Sequence, residues 1–130
     1  MVRYSAIVLA GFSAASFAYD CGLGIQCTLP EMAQLLHDSR ENFNTSGYVY
    51  DRVFQKNGSI VFDQRLLVEM NERTRATVAY SQILNSNVSQ GVCANFDTRA
   101  MLRQGIPIVF NYSDIDGNKI KSIIVRESDC

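Results

Sequence analysis

Tryptophan is absent from this 130-residue chain, histidine occurs once, proline twice, and the net charge is only −1. Each shortage narrows the field. The lone His37 leaves no second imidazole for a metal site, and the four cysteines show no C-x-x-C spacing, which together exclude a zinc centre. A nucleophile–base pair would need Ser or Cys beside His37. That residue lies next to Asp38 on the polar flank of an amphipathic segment and reads as a solvated side chain. Glu69 and Glu72 share a helical stretch, but Arg65, Arg73 and Arg75 surround them, the pattern of an ion-paired helix surface. No catalytic residue, metal ligand or cofactor is assigned, and the chain reads as a non-enzyme. Its Lys and Arg are scattered, which gives no broad attraction to nucleic acid or anionic lipid.

What is present begins with an export signature. Met1-Val2-Arg3 is a short basic start, Tyr4 to Ala15 is almost wholly apolar or small, and Ser16-Phe17-Ala18 places small residues where a signal peptidase requires them. Residues 1–18 therefore read as a signal peptide and 19–130 as a single disulfide-bonded domain, with Tyr19 as the mature N-terminus. The apolar stretch falls short of the roughly 20 residues of a membrane span, and no later stretch approaches it, so no stable membrane insertion is expected. Cys21 follows Ala18-Tyr19-Asp20, a poor lipoprotein box, so the product reads as soluble and either periplasmic or secreted.

Cys21, Cys27, Cys93 and Cys130 are an even set in a small exported chain, which implies disulfides. Three pairings are possible. The favoured one joins Cys21 to Cys27 around a small glycine-containing loop and Cys93 to Cys130, the latter closure worth about 4 kcal/mol in a chain-entropy picture.

Local signals give an order of elements. Thr28 and Glu31 form a capping box with Pro30 in the first turn, opening a helix from about Leu29 to Phe43 that carries Met32, Leu35 and Leu36. Tyr48 to Phe54 is a strand, Asn57-Gly58 a hairpin turn, and Ile60-Val61-Phe62 a short return strand. Asp63 is placed to cap a helical region marked by Leu66, Leu67, Met70, Val78, Ile83, Leu84 and Val88, one helix or two with a break near Thr74, ended by Gly91. Asn95 and Asp97 start a short helix with Met101 and Leu102, which Gly105 and Pro107 stop. Ile106 to Tyr112 and Ile120 to Val125 are strands joined by a turn at Asp116-Gly117. The Asp114-Ile115-Asp116-Gly117-Asn118 run has flanking strands and no following Glu in register, so it is a polar hairpin turn, not a calcium loop. The expected fold class is α+β: a small antiparallel sheet of two hairpins with helices packed on one face. Tyr48, Tyr50 and Phe54 alternate along one strand and form the candidate binding surface; Phe110 and Tyr112 do likewise on another. N-x-S/T sequons at Asn44, Asn57, Asn87 and Asn111 are of the number expected in so Asn- and Ser-rich a chain.

Val92-Cys93-Ala94-Asn95, Arg99 with Leu102 and Gly105, Tyr112 to Gly117, and Asp129-Cys130 form a run that resembles a group of small secreted proteins of Gram-negative bacteria. The resemblance spans roughly Asp63 to Cys130. It implies a periplasmic α+β domain with Cys93 bonded to Cys130 and carries no known active site. The layout also resembles the small pilotins that escort secretin subunits to the outer membrane. Pilotins of this kind are usually lipoproteins, and the missing lipobox departs from that pattern. The first expectation is a non-enzymatic periplasmic binding or accessory protein acting through a protein surface on another envelope protein. The alternatives are an inhibitor or immunity protein against an envelope-targeting enzyme, plugging a cleft with a loop such as Ser86 to Gln90, and a pilotin-like secretion accessory.

Overall fold

A computed structural model describes residues 18–67 and 85–130. The stretch read from sequence as a signal peptide, up to residue 17, and the part of the expected helical region over 68–84 lie outside the described residues.

Strands β1 (Tyr19–Asp20) and β2 (Gln26–Cys27) make a two-stranded ribbon closed by the Cys21–Cys27 disulfide. Helix α1 (Leu29–Asp38) follows. Its capping box is made as expected: Glu31 N–H donates to Thr28 Oγ1 at 3.2 Å, and Thr28 N–H donates to Glu31 Oε1 at 2.8 Å. Such a cap is worth about 1 kcal/mol. The helix stops short of Phe43. Ser39 Oγ donates back to Leu35 O at 2.7 Å, and the chain tightens into a 3-10 turn, Arg40–Phe43.

Strands β3 (Tyr48–Lys56) and β4 (Ser59–Leu66) form the first hairpin. Asn57 and Gly58 both take positive φ, 52° and 82°, the conformation that a two-residue hairpin loop demands. β4 is longer than the three-residue return strand expected, and this corrects the placement of Asp63. That residue is a mid-strand position opposite Arg52, not a helix cap, and Leu66 ends a strand. The reason is two-fold periodicity: Ile60, Phe62, Gln64 and Leu66 all point to one face.

Helix α2 (Asn85–Ala94) runs through Gly91, which therefore does not end it. The proposed plug at Ser86 to Gln90 is helical, not a protruding loop. Asn, Ser and Gly are weak helix formers; packing of Val92 into the core and the Cys93–Cys130 bond hold the segment instead. Helix α3 (Phe96–Arg103) is capped by Asn95, whose Oδ1 accepts from the Asp97 and Thr98 amides at 3.0 and 3.1 Å. Strands β5 (Ile108–Ser113) and β6 (Lys119–Val125) make the second hairpin, and a 3-10 turn, Glu127–Asp129, leads to Cys130.

The hairpins merge into one four-stranded sheet in the order β3-β4-β5-β6. The α+β class holds, and the helices pack against the sheet. The seam between the hairpins is parallel, Phe62 beside Phe110, so the sheet is mixed and not antiparallel throughout. A parallel neighbour requires a crossover connection, and the segment carrying α2 and α3 is that crossover. The core lies between the sheet and the helices. Ile60, Ile108, Ile123 and Val125 of the sheet meet Leu102 of α3 and Ile106, all fully buried. Each such side chain contributes roughly 1.5–3 kcal/mol.

Candidate functional site

A bulge in β3 decides which aromatics share a surface. Tyr50 pairs with Gln64 and Arg52 with Asp63, so Asp51 is an extra residue. Without it, strict alternation would keep Tyr48, Tyr50 and Phe54 on one face. With it, Tyr48 and Tyr50 face the helices together with Val53, whereas Phe54 pairs with Val61 on the opposite face. The candidate surface of Tyr48, Tyr50 and Phe54 is thus divided between the two sides of the sheet.

On the helix side, a cleft of about 390 Å³ opens above the strands. Its floor is Tyr48 and Tyr50 of β3, Gln64 and Leu66 of β4, and Phe110 and Tyr112 of β5. Val88, Gly91 and Val92 of α2, with Asn95 and Thr98 near the start of α3, form its wall. Aromatic rings run without interruption across the floor. Tyr48 meets Tyr50 edge-on at 5.7 Å, Tyr50 meets Phe62 at 5.7 Å, and Phe62 stacks on Phe110 at 5.3 Å. Phe110 then stacks on Tyr112 at 6.2 Å.

Polar atoms in this floor are the distinctive feature. Gln64 is only 7% exposed, and its side-chain amide has no hydrogen-bond partner among the described residues. The Tyr112 hydroxyl is in the same condition, on a residue 5% exposed. Burial, reinforced by Tyr48 nearby, pushes the Tyr50 phenol up to about 12. Burial also raises Tyr112, with Tyr50 and Tyr48 adding to the effect. Both phenols keep their protons at any physiological pH and serve as hydrogen-bonding groups. No Asp, Glu, His or Cys is among the described residues that line the cleft, so these offer apolar surface and neutral hydrogen bonds.

The other face of the sheet is a ladder of satisfied polar groups. Arg52 Nε donates to Asp63 at 2.6 Å, Asn111 Nδ2 donates to Asp63 at 2.9 Å, and Ser122 Oγ donates to Asn111 at 2.7 Å. Arg65 grips both carboxylate oxygens of Asp51, and the Arg52 guanidinium lies 4.2 Å from the centre of the Phe54 ring.

His37 is half-buried and has a structural role not anticipated from its polar neighbours. Its Nδ1 accepts the Val53 amide at 3.1 Å, just past the bulge, where the edge strand would otherwise present a bare donor. Glu69 and Glu72 lie outside the described residues. The Asp114 turn is the polar hairpin turn expected. Burial alone would raise the Asp114 carboxyl, but hydrogen bonds from Asn118, Asp116 and Gly117 outweigh it and hold the group below the ordinary carboxylate range. Gln64 was not singled out from sequence. The available signal was an amide interrupting an otherwise apolar Ile60, Phe62, Leu66 alternation.

No family model matches the chain, and no curated protein matches it. Solved structures do share its fold. The type 2 secretion system pilotin EpsS of Vibrio vulnificus aligns with a TM-score of 0.63 at 14% identity, covering 78% of this chain and 87% of the pilotin. The type II secretion system pilotin AspS of Vibrio cholerae aligns at 0.61 with 22% identity, covering 78% and 88%. A secreted protein of Pseudomonas aeruginosa aligns at 0.60 with 12% identity, covering 78% and 92%. At these identities the likeness is one of fold. Among the described residues, no helix is long and apolar enough to cross a membrane.

Proposed function

We propose that this chain is an exported, non-enzymatic accessory protein of the bacterial envelope, of the pilotin kind, which holds a segment of a partner protein in the aromatic cleft. The observation that carries the reading is the buried Gln64 amide, with the Tyr112 hydroxyl, facing the cleft with no hydrogen-bond partner among the described residues. A buried polar group left unpaired costs about 1–3 kcal/mol. A primary amide offers a donor and an acceptor side by side, and a peptide group supplies the complementary pair. The flanking rings would cover the partner's apolar side chains. The shared fold with two secretion pilotins supports the same reading.

The proposed form is soluble, released by a cut after Ala18. Cys21 bears on this directly, because a lipoprotein cysteine carries its diacylglycerol on sulfur. Here that sulfur is bonded to Cys27 and has no valence left for a thioether.

Two measurements test the proposal. The intact mass of the natural product should equal residues 19–130 less four hydrogens, and an acylated Cys21 would overturn the soluble form. Calorimetric titration of the purified protein with secretin subunits should show binding that Tyr50→Ala weakens at least about tenfold. Absence of binding by the unmodified chain would overturn the pilotin reading.

A further inference from the structure

A second surface stands apart from the cleft, since none of residues 19–27 lines it. Within the Cys21–Cys27 loop, Ile25 N–H donates to Gly22 O at 2.9 Å and closes a turn whose central residues, Leu23 and Gly24, have φ of 54° and 75°. Such turns take Asn, Asp or Gly at the first central position, because in left-handed backbone a Cβ crowds the carbonyl oxygen and only Asn and Asp offset this with local hydrogen bonds. Leu23 occupies it while 100% exposed, so no contact among the described residues offsets the strain. Ile25 beside it is 57% exposed.

The loop is also firmly mounted. The disulfide closes its base, and Cys21 N–H donates to Ile25 O at 2.8 Å. The Gln104 side chain, at the end of α3, clamps the Asp20 backbone twice: its Oε1 accepts the Asp20 amide at 2.7 Å, and its Nε2 donates to Asp20 O at 3.1 Å. An apolar side chain that is fully exposed, conformationally strained and rigidly presented is preorganised for binding, because docking has little left to order. We infer that Leu23 is an anchor residue that seats in an apolar socket on a protein partner. A lipid surface fits less well. Asp20 is the one charged side chain between Ala18 and Thr28, whereas segments that lie on membranes carry Lys and Arg around a broad apolar face. The inference does not depend on the cleft.

The test uses the full chain in its producing cell, with a diazirine-bearing amino acid at position 23, at position 48 in the cleft, or at the exposed Lys56 as control. Position 23 should give a discrete protein adduct attached through apolar partner residues, and position 56 should give none. Excess unlabelled protein should suppress the adduct, and Leu23→Asn protein should compete about tenfold less well. That variant should also gain about 2–5 °C in Tm, which separates lost binding from lost folding. An adduct no stronger than at position 56, an adduct with lipid, or equal competition by Leu23→Asn would overturn the inference. So would an adduct of two copies of this chain. An adduct at 23 with none at 48 would sink the cleft reading alone, and the reverse would sink this one alone.

Discussion

The two faces of the four-stranded sheet come from the same strands, yet they leave their polar groups in opposite conditions. On the outer face, Arg52, Asp63, Asn111 and Ser122 hand hydrogen bonds from strand to strand. On the helix side, Gln64 sits two residues after Phe62 in the same strand, buried, with its amide unanswered among the described residues. The difference teaches where to look for a partner. A face whose polar groups satisfy one another can stand in water unchanged, whereas a buried amide above an aromatic floor gains from an incoming peptide.

The largest expected effect breaks the comparison at its roof. Cys93 and Cys130 tie α2, one wall of the cleft, to the end of the chain. Replacing both with Ser should cost about 4 kcal/mol in urea unfolding. Smaller effects should sharpen it by sign. Asp63→Leu removes the acceptor shared by Arg52 and Asn111 and should destabilise by roughly 1–2 kcal/mol. The matching change on the inner face, Gln64→Leu, replaces an amide unpaired among the described residues with an apolar group of similar size and should leave the protein as stable or stabilise it by up to about 1 kcal/mol. Denaturant midpoints of the two variants on opposite sides of the parent would uphold the contrast, and a Gln64→Leu loss as large as that of Asp63→Leu would erase it.

The smallest effect is silent near neutral pH. Tyr50 ionises near pH 10.0 when unfolded and at about 12 when folded. The native state therefore binds the proton more tightly. Its contribution to stability is intact below pH 10 and is lost as pH rises through the window toward 12. Ultraviolet titration should show late-ionising phenols, with one fewer once Tyr50 is replaced by Phe.

Features encoded within a few neighbouring residues were legible in sequence. The Thr28–Glu31 box, the Asn57-Gly58 turn, the Asn95 cap and the Asp116-Gly117 turn each follow from side-chain geometry at fixed offsets. Both favoured disulfides are made. What failed depended on distant partners. The Asp51 bulge carries no glycine to betray it, and its single inserted residue sends Phe54 to the wrong side for the expected surface. The parallel seam is set by the crossover, not by either hairpin. Leu66-Leu67 resembled the start of a helical stripe because an apolar pair fits either period, and pairing of Arg65 with Ser113 keeps that end of β4 extended. Two of the three residues of the candidate surface, Tyr48 and Tyr50, belong to the cleft; Gln64 became visible only when the sheet register placed it there.

The two disulfides succeed one another along the chain and do not interleave. For a chain emerging N-terminus first, Cys27 appears when Cys21 is the one thiol available, and that pair can close before Cys93 emerges. Cys93 then has a single later thiol to meet. Oxidation in simple order of appearance would arrive at this connectivity, so an oxidase alone would suffice and a disulfide isomerase would have nothing to correct.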